Sequence, residues 1–189
     1  MIKEPRILVV DDEPQNLELL SAYLEKAGYN NIITASDGVE ALKHVDGSPP
    51  DLILLDVMMP KMNGFELCKK LKDDSRTRLI PIVIITALRD VEDKIRALDL
   101  GADEFLSKPF NRAELMARVR ALLKMKHLND NLEAAEDVIF NLARTIEARD
   151  RYTEGHCERV SDFGIGLAKE IGLSENEQKA LKTAAYSMI

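Results

Sequence analysis

The sequence predicts an α/β fold: a doubly wound, five-stranded parallel sheet, followed by a long linker helix and a short all-α segment. Three observations predict it. Five short apolar runs alternate with five amphipathic helical stretches, the pattern of a parallel sheet with right-handed crossovers and helices on both faces. The stronger runs lack polar alternation, as expected of strands buried on both sides. Finally, no Gly or Pro lies between Asn111 and Gly155, so the last helical pattern runs on.

The first strand is Ile7-Leu8-Val9-Val10. A helix then starts at Glu13-Pro14, since proline is tolerated in a first turn. It carries Leu17, Leu20, Tyr23, Leu24 and Ala27 on one face and stops at Gly28. A weaker strand at 31–34 precedes a helix near 38–46. The third strand is Leu52-Ile53-Leu54-Leu55, followed by a helix at 64–73. The fourth spans 80–85 around Pro81, with a helix at 91–100 after it. The fifth, Glu104-Phe105-Leu106, follows Gly101-Ala102-Asp103 and leads to a helix at 112–123.

From Ala121 onward, Met125, Leu128, Leu132, Ala135, Ile139, Leu142 and Ile146 recur at alternating steps of four and three. That is a heptad seam, and an apolar stripe of this length needs a partner. Few residues remain to cover it, so a parallel homodimer through residues 121–149 is expected. Beyond it, Val160, Phe163, Leu167 and Ile171 form one stripe closed by Gly172, and Ser174 with Glu177 makes a capping box. Three segments follow: 5–123, a linker helix at 124–149, and a helical fragment at 150–189. The fragment is expected to be partly disordered or packed against a dimer mate, since two helices alone expose their stripes.

Composition narrows the function. The net charge is −7, which disfavours nucleic acid and anionic membranes, because both reward a basic excess. Residues 79–88 form the longest nearly apolar run, far short of the ~20 residues of a membrane span. The first six residues lack the apolar core of a signal peptide. Cys68 and Cys157 have no CxxC partner and read as reduced thiols of a cytoplasmic protein.

The chemistry lies at the strand ends. Asp11 and Asp12 follow the first strand, Asp56 follows the third, Thr86 ends the fourth and Lys108 follows the fifth. In an open parallel sheet these positions converge on one edge, where ligands bind. Three carboxylates there repel unless a cation sits among them, and hard oxygen donors suit Mg²⁺. Metal, lysine and hydroxyl together equip the edge for phosphoryl transfer onto an aspartate.

These residues resemble the receiver domain of two-component response regulators, over about 5–123. The matching segments are Ile7-Leu8-Val9-Val10-Asp11-Asp12-Glu13, then Asp56-Val57-Met58-Met59-Pro60 with Gly64, then Ile84-Ile85-Thr86-Ala87. The last runs from Gly101 through Lys108-Pro109-Phe110. The resemblance implies a flavodoxin-like fold and a sensor histidine kinase as partner. It implies that Asp56 is the phosphoacceptor, and that Asp11, Asp12, Asp56 and the backbone carbonyl of Met58 hold Mg²⁺. Thr86 and Lys108 would bind the phosphoryl oxygens. Phe105 would be the switch aromatic, turning inward with Thr86, and Lys108-Pro109 a cis bond. Apolar Met58 and Leu88 would slow loss of the phosphoryl group. Dimerisation through the receiver face is a further expectation.

Residues 145–160 resemble the opening of the HD-GYP family, which hydrolyses cyclic di-GMP at a multinuclear metal site. Glu147-Ala148-Arg149-Asp150, Tyr152-Thr153, Gly155-His156 and Arg159-Val160 carry the likeness. His156 would match a metal ligand. The His-Asp dyad that should follow is absent, because the sequence reads Tyr186-Ser187-Met188-Ile189. One candidate ligand falls short of the three or so that a catalytic metal needs. The output region therefore reads as incomplete, His156 as non-functional, and the chain as no enzyme beyond its own phosphorylation chemistry. A phosphodiesterase and a stand-alone phospho-receiver or adaptor are the competing readings.

Overall fold

A computed structural model describes residues 4–87, 91–147 and 156–186. Its elements are β1 (Ile7–Val10), α1 (Pro14–Glu25), β2 (Ile32–Ala35), α2 (Gly38–Gly47), β3 (Leu52–Leu55), α3 (Gly64–Asp73), β4 (Ile82–Thr86), α4 (Val91–Asp99), β5 (Glu104–Ser107), α5 (Arg112–Glu147), α6 (His156–Glu170) and α7 (Glu175–Tyr186). The five strands form one parallel sheet in the order β2-β1-β3-β4-β5.

The unbroken apolar runs have a geometric cause. Successive strand residues face opposite sides, and both sides are covered. Leu8, Val10, Ile53, Leu55, Ile82 and Ile84 pack with Ala41 and Val45 of α2, Leu67 and Leu71 of α3, and Ala97 of α4. Ile7, Val9, Leu52, Leu54, Val83 and Ile85 pack on the other side with Leu20 and Leu24 of α1 and Leu115, Val119 and Leu122 of α5.

Element boundaries follow from local chemistry. β4 starts at Ile82, later than the apolar run suggests: Pro81 has no N–H to give a ladder, though its carbonyl accepts from Ile53 N–H at 3.0 Å. Asp37 caps α2, accepting from the N–H groups of Val39 and Glu40 at 2.9 Å each. Asn63 and Glu66 close a capping box on α3.

The chain divides into two compact units, residues 1–127 and 128–189. The division falls after the expected boundary at 123, and the whole of 112–147 is one 36-residue helix. Within the first unit α5 is anchored by Leu115, Met116, Val119 and Leu122. Farther along, the seam residues Met125, Leu128, Leu132, Ile139 and Leu142 are 46–65% exposed; the side chain of Ile146 lies outside the described residues. Among the described residues, these seam positions are therefore uncovered.

In the second unit α6 and α7 pack on each other, burying Ser161, Ala168 and Ala185. Tyr186 stacks edge-on against Phe140 of α5, with ring centres 4.7 Å apart. Ser174 and Glu177 form the expected capping box at the start of α7. The terminal helices are thus formed and packed together, while the stripe of Phe163, Leu167 and Ile171 is exposed. Residues 148–155 of the linker and fragment lie outside the described residues.

Gly64 shows how tightly the sheet edge is built. A Cβ there would lie 2.2 Å from the backbone oxygen of Asp56, and Gly64 N–H donates to Val57 O at 3.0 Å. Gly64→Ala should therefore cost about 3 kcal/mol or more. Gly47→Ala, which meets nothing within 4 Å, should stay within about 1 kcal/mol of wild type. Urea unfolding of both variants checks this pair of outcomes.

Candidate functional site

The parallel sheet brings the chemistry to one edge. Asp11 follows β1, Asp56 follows β3, Thr86 ends β4 and Lys108 follows β5. Together with Asp12, Glu13, Asn16, Met58 and Ala87 they line a single cavity. Asp11, Asp56 and Thr86 are buried. Asp12 is exposed at its rim.

Lys108 organises this edge. Its Nζ lies 2.8 Å from Asp11 Oδ2 and 2.8 Å from Asp56 Oδ1. The other oxygen of Asp11 accepts from Glu13 N–H at 3.0 Å and Asn16 Nδ2 at 2.9 Å. The other oxygen of Asp56 accepts from Met58 N–H at 2.5 Å. Lys108 is fixed in turn by its own N–H, which donates to Thr86 O at 2.8 Å. The Lys108–Pro109 bond is cis, as the receiver resemblance implies.

The charges are strained by burial. Loss of water pushes the Asp56 carboxyl above the usual carboxylate range, although Lys108 pulls it down; Asp11 nearby pushes it further up. Burial pulls Lys108 down, but its hydrogen bonds to Asp11 and Asp56 outweigh this and hold it above the usual lysine value. By contrast Cys68, buried in α3, is pushed up to about 11 by loss of water, which leaves an inert thiol.

The donor set fits Mg²⁺ by type: carboxylate and carbonyl oxygens around one cavity. Among the described residues, no group of three or more His, Cys, Asp or Glu stands arranged to hold a metal ion. The ammonium of Lys108 occupies the position between Asp11 and Asp56.

Phe105, on β5, is half-buried against the core, with Lys94 Nζ 5.6 Å from its ring centre. Met58 has an exposed side chain beside the cavity, while Leu88 lies outside the described residues. His156 begins α6 in the second unit, and its side chain lies outside the described residues. Sequence reasoning missed Asn16 and the Met58 N–H. Asn16 was findable, since it lies five residues after Asp11, in the first turn of α1. The Met58 contact is made by backbone and has no side-chain signature.

Comparison with known proteins adds three findings. The family model described as the response regulator receiver domain matches residues 7–120. The response regulator PleD of Caulobacter vibrioides is 51% identical over 180 residues, 95% of this chain and 37% of that protein. The DNA-binding dual master transcriptional regulator RpaA of Synechocystis is 48% identical over 120 residues, 64% of this chain and 49% of that protein. The chain thus spans half or less of these relatives. Among solved structures, a response regulator from Chloroflexus aurantiacus matches with a TM-score of 0.62 and 36% identity, covering 65% of this chain and 99% of that one. The beryllofluoride-activated receiver domain of DrrB matches with a TM-score of 0.57 and 31% identity, covering 64% of this chain and 97% of that one.

A raised Asp56 pKa means that folding disfavours its ionised form. Asp56→Asn should therefore stabilise the metal-free protein at neutral pH, since Lys108 keeps its pair with Asp11. The gain is full above the raised folded pKa and vanishes below the ordinary value of 3.8, where Asp56 is protonated in both states. Unfolding with EDTA across this pH range measures the difference.

Proposed function

Because the chain belongs to the family of response regulator receiver domains, we propose that Asp56 accepts a phosphoryl group from the phosphohistidine of a sensor histidine kinase. One observation carries the reading: two buried aspartates share one lysine at the carboxyl edge of the sheet. An Asp56 oxygen attacks phosphorus in line, the P–N bond breaks, and the bonding pair returns to the imidazole. The Met58 N–H holds the oxygen that does not attack. Lys108 moves from two carboxylates to the incoming phosphoryl oxygens, and the Thr86 hydroxyl donates to another. Mg²⁺ held by Asp11, Asp12, Asp56 and the Met58 carbonyl would supply the remaining neutralisation of phosphoryl charge.

The switch then follows from charge. Drawing Thr86 toward the phosphoryl group vacates space for Phe105, which leaves its place beside Lys94. The face made by α4, β5 and α5 repacks, a two-state element biased by a local event. We read α5 as the carrier of that change, with its seam pairing two chains in parallel. The alignment with PleD supports a signalling role for the second unit, since 180 matched residues reach well past residue 120.

The finer reading of residues 124–189, as part of a cyclic di-GMP-hydrolysing output, rests only on the resemblance of 145–160 and on His156. We therefore propose that this chain relays a signal and does not itself hydrolyse the nucleotide. DNA binding, which the description of RpaA gives that protein, is not carried over: the match covers 120 residues of it, and a net charge of −7 opposes it. No described helix is long and apolar enough to cross a membrane. A cytoplasmic location is proposed from the reduced thiols.

Acetyl phosphate with Mg²⁺ should label the wild-type protein and leave Asp56→Asn unlabelled on a phosphate-affinity gel. Lys108→Met should slow labelling by about 100-fold. Equal labelling of Asp56→Asn would refute the assignment. For the seam, the double variant Leu132→Glu and Ile139→Glu should sediment as a monomer where the wild type sediments as a dimer. A monomeric wild type overturns the dimer.

A further inference from the structure

The loop that follows Asp56 is held from an element outside the acidic cluster. Residues 57–63 join β3 to α3, and Met58 within them touches the Asp56 carboxylate through its N–H. Three residues on, Lys61 has φ 65°, a left-handed backbone that costs a non-glycine residue about 1 kcal/mol or more. Something must hold it there.

The holding group is Asp37. Lys61 Nζ lies 2.5 Å from Asp37 Oδ2. Asp37 is only 3% exposed, and its Oδ1 is already committed to the N–H groups of Val39 and Glu40. Capping α2 needs one carboxylate oxygen. Among the described residues, the second oxygen bonds only Lys61. The next residue pair repeats the contact: a Cβ on Gly38 would lie 2.8 Å from Met62 Cγ and 2.9 Å from Met62 O. The start of α2 therefore meets the loop at two successive residues. An exposed ion pair contributes little, but here one partner is buried, and removing the lysine leaves its charge uncompensated.

We propose that the Asp37–Lys61 pair is a positioning clamp for the phosphoacceptor loop. It fixes Met58, whose N–H seats Asp56, and so sets the Mg²⁺ affinity of the site. The metal part of this inference rests on the function proposed above. Neither residue touches the reacting atoms. Both act through the backbone of residues 58–62.

Calorimetric titration with Mg²⁺ and amide exchange at Met58 in the metal-free protein test it together. Lys61→Met, at an exposed side chain, and Asp37→Ser, which keeps a capping oxygen, should each weaken Mg²⁺ binding by about tenfold, the size of a lost outer partner. The double variant should be no weaker than either single one. Lys61→Arg should stay within about twofold of wild type, since it keeps the charge pair. Lys61→Gly relaxes the backbone but loses the pair, so it should behave as Lys61→Met. Met58 exchange should quicken in the same variants and not in Lys61→Arg.

A long-range charge effect differs at Lys61 alone: Lys61→Met tightens Mg²⁺, while Asp37→Ser weakens it as the clamp does. That result overturns the clamp, as does Met58 exchange at wild-type rates in Lys61→Met. If the wild-type protein binds no Mg²⁺, the reading of the site fails, and Met58 exchange alone decides the clamp.

Discussion

One ammonium between two buried carboxylates is the constraint on which the receiver unit depends. Asp11 and Asp56 end neighbouring strands, so the register of β1 with β3 sets how far apart they stand. Two buried acids without a cation would repel and seek water. Lys108 answers both from across the sheet, at 2.8 Å to each. It reaches them because β5 pairs with β4 and leaves Lys108 N–H on Thr86 O. Strand order, register and the turn after β5 thus serve one contact. On the proposed function, the same contact is the one that an incoming phosphoryl group would take over, so the resting state would already hold the cation that the reaction uses.

Much of this was legible because burial on both faces writes itself into sequence. Ile7-Leu8-Val9-Val10 reads as a strand since Leu8 and Val10 serve one core and Ile7 and Val9 the other. Asp11, Asp56, Thr86 and Lys108 were legible because strand ends in a parallel sheet meet. The fourth strand shifted because Pro81 cannot join the ladder. What stayed hidden was mostly backbone and long-range: the Met58 N–H on Asp56, and Asp37 reaching Lys61 across 24 positions. Asp37 looks like any helix cap, and only its second oxygen tells otherwise. The packing of Phe140 on Tyr186 was hidden for the same reason.

The two units differ in what supports them. The receiver unit has two apolar cores flanking one sheet, and its helices each bury one face. Among its described residues, the second unit has one aromatic contact from α5 to α7 and a few small buried residues on α6 and α7. The pairing of Phe140 and Tyr186, with Lys182 5.4 Å from the Phe140 ring centre, holds the end of α7 to the long helix. Such a unit opens more readily than a sheet-centred domain, and elements that move in signalling come from that low-stability end.

The uncovered seam on α5 has a thermodynamic consequence. A cover supplied by a second chain must arrive by collision, so the covered fraction then obeys mass action and falls on dilution. A second copy as the cover would tie the working state of this protein to its own abundance. A phosphoryl group favouring the covered form would then lower the concentration at which that form half-dissociates, by the same factor by which covering favours phosphorylation, because linkage is reciprocal. Expression level would become an input alongside the kinase.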